Sequence, residues 1–227
     1  MDHNKILSVV LAGGKSKRFG EDKSQVKLEG KILIDYILSE IIDEFNETLI
    51  VANQNINFVQ SSKISLIKDF KEGQGPLGGV LSAMKWIKEN KKKYNWISTF
   101  PVDTPFFTKK VLKSFYKNIK IDEGKLFFIR SKETRHNIFG LWSLDLMDKL
   151  EKDILRGERK VEVWANSIAQ KYCTEENEGV EGVEKAKAAA PIANKEEQCR
   201  LDSSEIYKIS IGEKVHKYDK GCWSSFN

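Results

Sequence analysis

An apolar run, Ile6-Leu7-Ser8-Val9-Val10-Leu11, leads straight into Ala12, Gly13 and Gly14, and four cations follow at Lys15, Lys17, Arg18 and Lys23. A strand that empties into a glycine-rich loop constrains the fold more than any other stretch of the chain. Glycine lacks a Cβ, so the loop backbone can bring its N–H groups against phosphate oxygens while the cations neutralise their charge. Leu28, Ile32, Leu33, Tyr36, Ile37, Ile41 and Ile42 then recur at near-helical spacing. Strand, loop and helix in this order open a nucleotide-binding α/β fold. Gly13 to Gly20 fits neither Gly-x-x-x-x-Gly-Lys-Ser/Thr nor Gly-x-Gly-x-x-Gly, which excludes the Walker and dinucleotide loops.

The rest of the pattern alternates. Strand candidates are 6–11, 48–52, 64–67, 96–100, 125–130 and 138–142, and helical patterns fill 32–45, 78–88, 109–116 and 144–155. Such alternation predicts an α/β fold with a mostly parallel central sheet and helices on both faces. Ligands gather at the carboxyl edge of such a sheet, and the polar residues that stand out lie just past strand candidates.

Three of them invite a chemical role. Asp103 follows the apolar stretch from Trp96 to Val102 and precedes a Thr104-Pro105 turn. Magnesium takes hard oxygen ligands, commonly one or two carboxylates completed by phosphate and water, so Asp103 is a candidate metal ligand; an aspartate bonded within the turn is the alternative. Asn53 follows Leu49-Ile50-Val51-Ala52, and its amide could read a base edge or cap a turn. Asp69 precedes Gly73-Gln74-Gly75-Pro76-Leu77-Gly78-Gly79, which opens a helix. Unpaired N–H groups at a helix start favour anions, and the glycines let backbone lie against a base or ribose.

Farther on, Arg130, Arg135, His136, Arg156, Arg159 and Lys160 surround the strand candidate 138–142 and suit an acceptor that bears a phosphate. A nucleoside triphosphate bound by these parts would meet attack at its α-phosphorus, with positioning and electrostatics as the main sources of acceleration.

Composition sets the class. The 227 residues suffice for one sizeable α/β domain. The net charge of +5 is spread along the chain, which favours an anionic small molecule over nucleic acid. Residues 6–12 are too few to cross a membrane, and no cationic signal precedes them, so a cytoplasmic protein is expected. Cys173, Cys199 and Cys222 are widely spaced, which argues for free thiols rather than a disulfide framework or structural zinc.

Residues 11–23 resemble the Leu-Ala-Gly-Gly-x-x-x-Arg-Met-Gly-x-Asp-Lys signature of nucleotidyltransferases, with Phe19 at the methionine position. Together with Gly75-Pro76-Leu77-Gly78-Gly79, Phe100-Pro101-Val102-Asp103-Thr104-Pro105-Phe106 and Phe139-Gly140-Leu141-Trp142, they resemble the molybdenum cofactor guanylyltransferase family. The resemblance implies a Rossmann-like nucleotidyltransferase fold that transfers GMP from GTP to the molybdopterin form of the cofactor. It implies a nucleotide held by Leu11, Ala12, Gly13, Gly14, Lys23, Asn53, Asp69, Gly78 and Asp103, with Arg18, Lys23 and Asp103 as catalytic groups and Asp103 on Mg2+. Arg135, His136 and Arg159 would receive the acceptor, although Asn137 stands where the family has proline. A monomer is expected, with molybdoenzyme maturation proteins as partners and neither nucleic acid nor membrane. The resemblance covers residues 1–172 as the nucleotidyltransferase domain, and 173–227 form an atypical C-terminal segment without the family's Phe-x-Asn-x-Asn-Thr-Pro-Glu-Asp close. From sequence, three readings stay open: guanylyltransfer, transfer by a related cytidylyltransferase or sugar-phosphate enzyme, and nucleotide binding without turnover.

Overall fold

A computed structural model describes residues 3–13, 27–121, 124–131 and 134–176. Gly14, Arg18 and Lys23 fall outside these residues, as does most of the atypical C-terminal segment. Strand β1 (Ile6–Leu11) is buried along its whole length, as a strand covered on both faces must be. A short hairpin of β2 (Lys27–Leu28) and β3 (Lys31–Ile32) turns through Glu29 and Gly30, both at positive φ. Helix α1 (Leu33–Ile41), β4 (Thr48–Val51), β5 (Ile64–Ile67), α2 (Gly75–Glu89), β6 (Trp96–Pro101) and α3 (Lys109–Asn118) follow. The described chain closes with β7 (Leu126–Ser131), β8 (Thr134–Ser143), α4 (Met147–Leu155) and α5 (Val161–Glu176).

The main sheet runs in the order β5-β4-β1-β6-β8-β7. Strands β5, β4, β1 and β6 are parallel, whereas β8 is antiparallel to both its neighbours. The expected mostly parallel sheet is therefore present, with β8 as its reversed strand. Alternation along β1 divides the core. Leu7, Val9 and Leu11 pack with residues of α2, α4 and α5, and Ile6, Val10 and Ala12 pack with residues of α1 and α3. Helices thus cover both faces.

Two elements differ from the sequence reading. Residues 28 and 32, read into one helical pattern, belong to the hairpin, and α1 begins at Leu33. Helix α5 was not foreseen. It is anchored by the Trp164 ring stacked 5.8 Å from Trp142, and by the Trp164 indole N–H donating to Asp153 Oδ2 at 3.0 Å.

Candidate active site at the carboxyl edge of the sheet

The parallel strands end level. Leu11 is in register with Val51 on one side and Pro101 on the other, and Val51 is in register with Ile67. Gly13, Asn53, Asp69 and Asp103 are each two residues beyond that row. Side chains two past a register position leave the sheet on its carboxyl edge, and neighbouring strands are about 4.8 Å apart, so the four span roughly 15 Å in the order Asp69, Asn53, Gly13, Asp103.

The ladder continues one residue past the row: Ala12 N–H donates to Val51 O at 3.0 Å, and Ala52 N–H to Ile67 O at 2.9 Å. Leu11 and Ala12 send their side chains into the core on opposite faces. The Ala12 amide is therefore committed to the sheet rather than available to phosphate. What these two residues provide is a rigid base for Gly13.

At the Asp69 end the side chains are tied together. The Asn53 amide donates from Nδ2 to Asp69 Oδ2 at 2.9 Å, and its Oδ1 accepts the Asp69 N–H at 3.1 Å. Asn53 thus pins Asp69, keeping one N–H and one lone pair for a ligand. Ser82, which the sequence reading missed, donates to Gly78 O at 2.8 Å and accepts Phe70 N–H at 3.0 Å, with Asp69 Oδ1 3.5 Å away. Burial raises the Asp69 pKa, the bonds from Asn53 and Ser82 pull it down, and Glu72 pushes it up. A Cβ on Gly13 would lie 3.5 Å from Asp69 Oδ2, and one on Gly79 would lie 2.8 Å from the Leu11 side chain and 3.6 Å from Asp69 Oδ1. Glycine at both positions leaves the carboxylate uncovered.

At the other end Asp103 is only 6% exposed. Thr104 Oγ1 donates to Pro101 O at 3.0 Å and Phe107 N–H to Thr104 O at 3.1 Å, which fixes the turn that presents it. Among the described residues no three His, Cys, Asp or Glu side chains cluster to hold a metal. One hard carboxylate fits magnesium, which dehydrates reluctantly and takes its other ligands from phosphates and water, and does not fit a metal caged by protein alone.

Because β8 runs opposite to β6, its first residues lie at this same edge, which brings Arg135 and His136 to the candidate site's side of the sheet. Their chemistry differs from the sequence reading. His136 is neutral at pH 7, since burial pushes its pKa down to about 4, so it offers hydrogen bonds rather than the expected positive charge. Arg135 donates to Asn137 Oδ1 at 2.6 Å, Asn166 Oδ1 at 2.9 Å and Glu162 O at 3.4 Å, and packs over the Phe128 ring. It is first a clamp between β8 and α5, with two of five N–H donors left over. Asn137, the departure from the family pattern, is part of that clamp. Arg159 spends Nη1 on the carbonyls of Ile154, in the last turn of α4, and Glu158, in the loop beyond it, at 2.7 and 2.6 Å. Its backbone carbonyl lies 3.6 Å from where a Gly75 Cβ would be, so this loop borders the start of α2.

A sequence model for the MobA-like NTP transferase domain matches residues 8–171. The chain is 31% identical over 158 residues to a molybdenum cofactor guanylyltransferase of Haemophilus influenzae, covering 69% of this chain and 80% of that one. It is 28% identical over 165 residues to one of Yersinia pseudotuberculosis, covering 72% and 81%. Among solved structures it is similar to a protein from Aquifex aeolicus at a TM-score of 0.57 and 26% identity, covering 71% and 82%. Molybdopterin-guanine dinucleotide biosynthesis protein A from Archaeoglobus fulgidus shares the fold at a TM-score of 0.56 and 21% identity, covering 81% of this chain and 96% of that one.

Proposed function

The chain belongs to the MobA-like NTP transferase domain family, and we propose that it transfers GMP from GTP to the molybdopterin form of the molybdenum cofactor. The observation that carries this reading is the single row of Gly13, Asn53, Asp69 and Asp103 across four level strand ends. In this reading one end of the row supplies a base-reading carboxylate, Asp69, and the other a phosphate-side carboxylate, Asp103. The curated relatives named for guanylyltransfer support the choice of substrates.

In this reading the base lies toward Asp69, whose carboxylate accepts N–H donors. Guanine presents its ring N1–H and exocyclic amine side by side, whereas cytosine presents a ring acceptor beside its amine, so a carboxylate favours guanine. Asn53 holds that carboxylate in place. Gly13 admits the nucleotide close to backbone, Gly78 acts at one remove by making room for the Gln74 stem at the start of α2, and Gly14, Arg18 and Lys23 are assigned to the phosphates. A phosphate oxygen of the acceptor forms the new bond to the α-phosphorus, and the bond to the bridging oxygen breaks and releases pyrophosphate. No protein nucleophile takes part. Asp103 would hold a magnesium ion, which when bound supplies positive charge against the triphosphate. Neutral His136 can hydrogen-bond the acceptor without titrating at physiological pH. Arg135 and Arg159 would orient it through donors not spent on the protein, with Arg135 keeping its own geometry through the clamp to α5. A cytoplasmic monomer that passes its product to molybdoenzyme maturation proteins completes this reading.

Calorimetric titration with GTP, CTP, ATP and UTP, each with magnesium, tests the nucleotide assignment. Selective GTP binding is expected. Preference for CTP would move the chain to a cytidylyltransferase role.

A further inference from the structure

We infer that Gln74 supplies the hydrogen-bond acceptor that reads the exocyclic amine of the bound base, a specificity role that rests on the guanine reading above. Gln74 is the residue before the first turn of the 15-residue helix α2. It is only 6% exposed. Its Nε2 donates to Glu72 O at 3.3 Å, which fixes which end of the amide is oxygen, because the reverse assignment would set two acceptors together. Oε1 is buried and has no hydrogen-bond partner among the described residues.

A buried amide oxygen without a donor is rare in native proteins and calls for a ligand or another explanation. The nearest structural explanation is helix capping. Gln74 occupies the N-cap position with unpaired helix N–H groups just ahead of it, yet its side chain makes no capping bond. The acceptor has therefore been kept from the donors closest to it in sequence.

The packing shows that room has been made for this side chain. A Cβ on Gly78 would lie 2.6 Å from Gln74 Cβ and 3.5 Å from its Cγ, so only glycine at 78 lets the Gln74 stem lie along the first turn. The next residue, Gly79, faces Asp69: a Cβ there would be 3.6 Å from Oδ1. Gln74 and Asp69 thus flank adjacent positions of one helical turn: glycine at 78 makes room for the Gln74 stem, and glycine at 79 leaves the Asp69 carboxylate uncovered. Two acceptors suit the two neighbouring donors of guanine. Asp69 takes the ring N–H, which inosine also has, and Gln74 takes the amine, which inosine lacks.

The test is titration of the full chain with GTP and ITP in the presence of magnesium, first unmodified and then as Gln74→Met. The unmodified chain is expected to bind GTP at least about fivefold more tightly than ITP, since an unfilled buried acceptor is costly. Gln74→Met should weaken GTP alone and bring the two ligands within about twofold. Equal affinity of the unmodified chain for GTP and ITP overturns the inference, and this comparison stands even if the variant does not fold. A folded Gln74→Met that keeps the original ratio also overturns it, while leaving the guanine assignment intact. Preference of the unmodified chain for CTP, or no GTP binding, overturns both.

Discussion

Removing the Asn53 amide should destabilise the protein in a pH-dependent way, because Asn53 holds Asp69 through two bonds of different kind. Asn53→Ala loses a donor to the Asp69 carboxylate at 2.9 Å and an acceptor for the Asp69 N–H at 3.1 Å. A bond to a charged group contributes about 1.5–3 kcal/mol and a neutral one about 0.5–1.5, and half-buried Asn53 calls for the low end of each, or about 2 kcal/mol at pH 7. At pH 4 much more of Asp69 is protonated in the folded state, and the first bond falls toward the neutral value, leaving about 1 kcal/mol. The direction follows from linkage. Burial already raises the Asp69 pKa, and Asn53 is the largest influence lowering it. Without Asn53 the folded pKa rises further, so the variant binds its proton more tightly and loses additional stability as pH rises through that value. With a urea slope of about 2 kcal/mol/M, the unfolding midpoint should fall by about 1 M at pH 7 and about 0.5 M at pH 4. Equal losses at both values, or none, would refute the claim that Asn53 secures a charged Asp69.

Three other outcomes are expected. Asp103→Asn should remove magnesium-dependent turnover while leaving the melting temperature within a few degrees of the parent; full activity in the variant would remove Asp103 from the metal site. Gly140→Ala should cost more than about 2 kcal/mol in chemical denaturation, because its Cβ would lie 2.5 Å from the Phe127 carbonyl oxygen and 2.7 Å from the Phe128 ring. A variant as stable as the parent would mean that β7 and β8 are not packed this closely. His136 has a folded pKa of about 4, below its unfolded value, so the unfolded chain takes up the proton first and stability is lost as pH falls from about 6.5 through about 4. His136→Asn should flatten that acid limb by as much as about 3 kcal/mol in denaturation at stepped pH; an unchanged limb would contradict a buried, neutral imidazole.

Much of the site was legible because the sequence places its polar residues just after apolar runs. Asn53, Asp69 and Asp103 each follow such a run, and the parallel sheet takes all three to one edge. That they sit at the same height was not legible, since strand register depends on pairing between segments far apart in sequence. The same limit hid the bond between Asn53 and Asp69, which makes a candidate base reader also the support of another residue. Ser82 carried only a weak signal, a hydroxyl four residues after Gly78 within a helix, where Ser often bonds the preceding turn's carbonyl. Arg135 and His136 were chosen for charge, but the tie from Arg135 to α5 and the burial of His136 depend on packing between elements, which local spacing does not record. Helix α5 was missed because Trp164 is fixed by Trp142 and Asp153, contacts from separate elements. The reversal of β8 followed the same pattern: its residues read as a strand, but direction is a property of the sheet.

The most direct measurement is turnover of the full chain with GTP, magnesium and molybdopterin cofactor, followed by mass spectrometry of the cofactor and an assay for pyrophosphate. The account predicts a cofactor heavier by one GMP unit and an equal amount of pyrophosphate, with no such product from CTP. A cofactor unchanged in mass while the chain binds GTP would contradict guanylyltransfer.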